Sequence, residues 1–263
     1  MGAFTSVPLV APLDIDSIHK AEKEAKRTKV FLLRNAGLPI CPRRLPYMSN
    51  LREVDLSSNR IVEMPFDIGE LHKLRILNLS YNFIALLPPS IGDLVILRNL
   101  NVAHNVLESL PKQIGELKRL EEVDFHDNNI TELPPQISRC SSLRYLNLAE
   151  NLIEHIPSDM GLLENLEEMN IAFNHITVLP PDLGGCMNLR KLDVRGNDIT
   201  SVPETIFLDT ALDRIFTHDC PVHAVLKQQP AYNVFQERKM KRIKARGWPP
   251  EINPNRLKGW GDN

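Results

Sequence analysis

Leu51-Arg-Glu-Val-Asp-Leu-Ser-Ser-Asn59-Arg-Ile61-Val-Glu-Met-Pro65 sets a form that the chain writes seven times. The frame restarts at Leu74, Leu97, Leu120, Leu143, Leu166 and Leu189, always 23 residues on. An asparagine travels with it, at Asn59, Asn82, Asn105, Asn128, Asn151, Asn174 and Asn197. A proline follows each asparagine six residues later, at Pro65, Pro88, Pro111, Pro134, Pro157, Pro180 and Pro203. Seven matches with no insertion leave almost no room for chance and predict one stacked architecture.

The repeat has a physical reading. Counting Leu51 as position 1, positions 4 and 6 (Val54 and Leu56, Leu77 and Leu79, Leu100 and Val102) alternate on one face of a short strand. A single repeat cannot bury that face, but stacked repeats pair their strands in parallel and share a core. The asparagine sits where the chain leaves the strand. Its amide both donates and accepts, so it can satisfy the polar backbone of a buried turn. The proline lacks an N–H and ends the ladder. The segment after it returns along the convex side as a short helical or 3₁₀ turn.

Counting back from Leu51 gives a degenerate opening repeat with Phe31, Leu33, Leu38, Cys41, Pro42, Leu45 and Met48 in register. Ala36 replaces the asparagine, so an imperfect start to the ladder is expected. Counting forward gives a closing half-repeat, Leu212 to Pro221, with Cys220 in the asparagine slot. The expected organisation is an extended start (1–13), a capping helix (14–29), a solenoid of eight repeats and a terminal half-repeat (30–223), and a tail (224–263).

The full pattern, L-x-x-L-x-L-x-x-N-x-I/L-x-x-L-P-x-x-I/L-x-x-L, resembles the leucine-rich repeat over about three quarters of the chain. The form Leu87-Pro88-Pro-Ser-Ile91-Gly92-Asp-Leu94, repeated as Leu110-Pro111-Lys-Gln-Ile114-Gly115-Glu-Leu117, is similar to the intracellular Ras-group repeats typified by Ras suppressor protein. The resemblance implies an α/β class: a right-handed horseshoe solenoid with a parallel concave β-sheet. It also implies a cytoplasmic, non-enzymatic scaffold or adaptor that binds a small GTPase, kinase, phosphatase or adhesion protein in Ras-type signalling. The alternative is a structural subunit of a large assembly anchored by the tail, a segment that matches nothing in that family.

Charge is unevenly spread. The total is −2, yet residues 30–223 hold 17 Lys/Arg against 26 Asp/Glu, while residues 224–263 hold 9 against 3. An acidic body argues against a nucleic-acid partner. The four cysteines fall in repeat slots, far apart, and read as reduced thiols in an intracellular protein. No P-loop, nucleophile elbow, metal-spaced cluster or cofactor motif is present in the sequence, which disfavours an enzyme.

The ends carry separate signals. Met1-Gly2-x-x-x-Ser6 fits the N-myristoylation pattern, with Gly2 as the acylated residue. Ile15, Ile18, Ala21 and Ala25 form a narrow apolar stripe, read as a cap over the first strand, with a basic membrane-surface helix as the rival. In the tail, Pro230 can open a basic helix to about Ala245, followed by a Pro-rich segment with both tryptophans. Phe235, Arg238, Arg242, Trp248 and Trp260 are its candidate contacts. The tail is expected either to fold back on the concave or C-terminal face or to carry its own partner contact.

Outward positions of the strand and its exit define a candidate binding face. Position 5 is always Asn or Asp, which suggests lateral hydrogen bonding along the sheet. The irregular positions are more informative. Tyr81, Tyr145 and Phe173 are exposed aromatics suited to anchor a partner, with Ile76, His104, His126 and Arg195 beside them. Glu122, Asp127 and Glu150, with Asp124 and Glu168, form an acidic rim. A protein partner with basic groups and an apolar anchor would suit this face.

Overall fold

The computed structural model describes residues 15–246, with side chains described to 241. Nine three-residue strands form one parallel sheet in chain order: β1 (Val30–Leu32), β2 (Glu53–Asp55), β3 (Ile76–Asn78), β4 (Asn99–Asn101), β5 (Glu122–Asp124), β6 (Tyr145–Asn147), β7 (Glu168–Asn170), β8 (Lys191–Asp193) and β9 (Arg214–Phe216). The register is that of the repeat: Val54 pairs Leu77, Leu77 pairs Leu100, and so on. Positions 4 and 6 point into the core, and Val54, Leu56, Leu77, Leu79, Leu100 and Val102 are buried. The return strokes are 3₁₀ turns of three to five residues, such as Pro89–Asp93 and Lys112–Glu116. The last is instead a short α-helix, α2 (Glu204–Leu208).

The asparagines tie neighbouring repeats together. Asn128 Nδ2 donates to the carbonyls of Phe125 and His126 in its own turn and of Val102 one repeat back. Its Oδ1 accepts from Leu107 N–H at 2.9 Å. The same set recurs at Asn82, Asn105, Asn151 and Asn174. At the opening repeat, Asn59 Oδ1 accepts from both Ala36 and Leu38 N–H, so the missing asparagine leaves that backbone paired. At the closing repeat, Cys220 Sγ donates to Val194 O at 2.8 Å and accepts from Asn197 N–H. The thiol thus makes the asparagine's contact one repeat back.

The convex side depends on small residues. A Cβ at Gly92 would lie 2.7 Å from the Gln113 carbonyl of the next turn, so the I-G step lets adjacent 3₁₀ turns approach closely. The four cysteines are free and buried. Burial pushes Cys140 and Cys186 up to about 12, and both fill leucine slots as packing groups.

One expectation needs correction. Position 5 does not build a lateral ladder. Apart from Asn78 Nδ2 bonding Asp55 Oδ2, these side chains accept from the N–H two residues on, as Asn101 does from Ala103 and Asp124 from His126. They brace the turn that leaves the strand, because that local donor is nearer than a neighbour 4.7–4.9 Å away. For the tail, fold-back on the C-terminal end is the alternative found over the described residues, and Phe235 and Arg238 are used by the chain itself. After α3 (Val222–Val225), helix α4 (Pro230–Arg246) packs against α2 at the C-terminal end of the solenoid. Phe235 is only 1% exposed and sits 5.6 Å from the Phe207 ring. The Arg238 guanidinium donates to the carbonyls of Phe207 and Leu208 at the end of α2. The Arg242 side chain, Trp248, Trp260 and Gly2 lie outside the described residues.

At the other end, α1 (Ile15–Thr28) packs on β1 through Ile18, Ala21 and Ala25. Lys29 stops it in a left-handed conformation, φ 66°, with its N–H bonded to Ala25 O. The apolar stripe is therefore used as a cap.

Replacing Asn128 with Leu removes four contacts and strands the buried Leu107 N–H, while the Val102, Phe125 and His126 carbonyls each keep one other donor. The expected cost is roughly 2–4 kcal/mol, whereas exposed Asn129→Ala should change stability by less than about 0.5 kcal/mol; urea unfolding of both variants measures the difference. Phe235→Ala should remove about 3 kcal/mol or more of local packing. Hydrogen exchange should then show α2 and α4 losing protection while β2 to β6 keep theirs, since repeats contact only their neighbours.

Candidate interaction surface

The residue at position 8, two places after the second inward apolar side chain of each repeat, sets the surface. At this point the backbone turns left-handed: Ser58, Tyr81, His104, Asp127, Glu150 and Phe173 all have φ between 53° and 57°, and Gly196 has 62°. A non-glycine residue there costs roughly 1–2 kcal/mol. The asparagine ladder and the position-5 brace hold it, and the result is a row of side chains projected to one edge of the concave sheet. Only Ser58, Asp127 and Gly196 in this row are residue types that favour such a turn, so the conformation is not visible from the apolar period alone.

Tyr81 and Phe173 stand in that row, 55% and 49% exposed. They are four strands apart, about 19 Å at the usual spacing. The Phe173 ring lies over Gly196, where a Cβ would come within 2.9 Å of Cε1, so the glycine makes room for the aromatic. Ile76 is exposed on β3. Tyr145 lies on β6 beneath the Arg144 guanidinium, 5.7 Å from the ring centre, and is half-buried.

Between the two exposed aromatics the surface is polar and braced. Tyr81 stacks on His104 at 4.0 Å, and His104 meets His126 edge-on at 4.4 Å. His104 Nδ1 is 2.6 Å from Asp127 Oδ2, and His126 Nδ1 is 2.7 Å from Asp124 Oδ1. Glu122 accepts from Asn99 Nδ2 at 2.5 Å, and Glu150 is exposed. Burial works against the charged His126 ring, but the hydrogen bond and charge of Asp124, with Glu150 and Asp127 behind it, hold it above its ordinary value.

The far end is cationic. Arg195, one of the expected contacts, is gripped by both oxygens of Asp193 at 2.7 to 3.1 Å. Arg195 and Lys191 both lie over the Phe216 ring, at 5.6 and 5.7 Å. Burial and the cationic neighbours Arg214 and Arg195 bring Lys191 below its ordinary value, against the pull of Glu168 and Asp193. Sequence reading passed over Arg214 and Phe216, because β9 belongs to the degenerate closing repeat. The concave face thus brings together Tyr81, His104, His126 and Asp127 in direct contact, with Glu122 and Glu150 flanking. Phe173 and Arg195 form a separate group.

Family models agree with this architecture. A leucine-rich repeat region model matches residues 90–174, and leucine-rich repeat models match 49–107, 165–186 and 185–202. The chain is a leucine-rich repeat protein. Among solved structures, it is similar to a TDR receptor (29% identity, TM-score 0.64) over 68% of its length. It is also similar to PEPR1 in PEPR1-AtPEP1 (27%, TM-score 0.61, 69% of its length). A third is the plant peptide hormone receptor RGFR1 in complex with RGF2 (26%, TM-score 0.55, 68% of its length). The repeat protein spans only 32%, 27% and 34% of those three chains. No curated protein matches the chain at a significant level.

Proposed function

We propose that this leucine-rich repeat protein is a non-enzymatic interaction module, a scaffold or adaptor, that binds a protein segment across its concave face. The observation that carries the reading is the pair of exposed aromatics, Tyr81 and Phe173, held on left-handed backbone at either end of a carboxylate-lined strip. Strained backbone carrying bulky exposed side chains concentrates at binding sites, and aromatics with a charged surround are the usual energetic centres of interfaces. The partner that fits is a segment with basic side chains over Asp127, Glu122 and Glu150 and apolar groups toward Tyr81 and Phe173. One similar structure is a plant peptide hormone receptor, RGFR1, in complex with RGF2, which supports a protein or peptide partner.

The finer reading places this module in cytoplasmic Ras-type signalling, with a small GTPase, kinase or phosphatase as partner and Gly2 as a membrane tether. A single acyl chain binds membranes only marginally, so the exposed Lys20, Lys23, Lys26 and Arg27 of α1 would supply the second attraction.

Tyr81→Ala/Tyr145→Ala/Phe173→Ala tests the binding face. Proteins co-purifying with wild type from the native cell should be lost with the triple variant. The affinity of the recovered partner should fall by about 100-fold or more, while the variant keeps its circular dichroism and cooperative unfolding. Full retention of the partner by the folded variant would move the contact off this face.

A further inference from the structure

The imidazole pair at the centre of the concave face has a proton count that its geometry fixes. Each Nδ1 faces a carboxylate oxygen, Asp127 for His104 and Asp124 for His126, so each Nδ1 carries a proton to donate. The two Nε2 atoms then face each other at 2.9 Å. Two bare ring nitrogens repel at that distance, and two N–H groups collide. One proton between them satisfies the contact, which places three protons on four ring nitrogens. We infer that His104 and His126 share a single extra proton, and that this proton is a pH-sensitive latch joining the repeats of β4 and β5 across the concave face.

The surroundings favour the latch in its closed form. Asp124 and Asp127 belong to the repeat of β5, and Glu150 approaches from the repeat of β6. On the other side, Tyr81 from the repeat of β3 stacks on His104. The imidazolium neutralises one of the two bonded carboxylates. Its loss leaves both uncompensated and sets the Nε2 atoms against each other, so one ring must turn. His104 is the less confined ring, with 27% of its side chain exposed against 12% for His126, and it carries the Tyr81 stack with it. The device therefore regulates the surface assigned above. Its consequence for binding rests on that assignment, whereas the latch itself does not.

The linkage has a definite sign. The native state holds His126 protonated to higher pH than the unfolded chain does. The stability this adds is fully present below the unfolded value of about 6.5 and is lost as pH rises through the folded value.

Long-range ¹H–¹⁵N imidazole spectra of the full chain between pH 5 and 9 test the latch without any partner. At acid pH, His126 should show the doubly protonated pattern, and it should lose the extra proton in one transition. His104→Phe keeps a ring for Tyr81 to stack on, and Phe173 shows that phenylalanine fits this backbone conformation. It removes the acceptor for Nε2–H, so the His126 transition should fall by about one pH unit. Two singly protonated rings at pH 6, or a His126 transition unmoved by His104→Phe, would overturn the latch. Neither result would bear on whether partners use the concave face, which the triple variant decides separately.

Discussion

Buried backbone must find hydrogen-bond partners, and in this solenoid one asparagine per repeat completes what the backbone cannot pair by itself. Backbone bonds between neighbouring repeats continue past the three-residue strands, as at Phe125, Asp127 and Asn128, but leave amides such as that of Ile130 to the ladder. Each ladder asparagine donates to three carbonyls and accepts from an amide in the preceding repeat. No aliphatic side chain could do this, and a carboxylate would lack the donors. The 23-residue period follows: the ladder works only if every repeat returns its asparagine to the same height. The thiol of Cys220, taking over at the last position with a single donor, marks where the stack has only one neighbour left to satisfy.

The same constraint produces the functional surface. Holding the turn fixes a left-handed residue at each strand exit, and whichever side chain occupies it is presented at the concave edge. The fold therefore carries Tyr81, His104, Asp127, Glu150 and Phe173 on left-handed backbone, and the ladder that holds the turn offsets the cost of that conformation. Variation at this position alters the binding face without altering the stack. A repeat protein can in this way change partners while its core period stays intact.

The architecture was legible because its determinants are periodic. Leu51 and its six successors, the asparagines and the prolines state the strand, the turn and the return stroke in sequence alone. The caps were half legible. The stripe of α1 indicated packing, but nothing in Phe235 or Arg238 said that they would close the last helix rather than meet a partner. That outcome depends on Phe207 and on the exposed end of α2, which exist only once the chain is stacked. The site was legible as a list and not as an arrangement. Tyr81, His104 and His126 are 22 or 23 residues apart, and the sequence could not reveal that their rings touch or that two imidazoles face each other through the same nitrogen. Position 5 misled for a related reason: its regularity looked lateral, while its bonds are local.

The central claim is that asparagine amides, rather than strand pairing alone, hold the turns. Native-state hydrogen exchange of the Ile84, Leu107, Ile130 and Ile153 amides measures it directly, since each donates to an asparagine Oδ1 and to no strand partner. The account predicts that these amides exchange as slowly as those of β3 to β6, opening only when neighbouring repeats unfold together. Exchange at the rate of exposed loop amides, with the strands still protected, would contradict it.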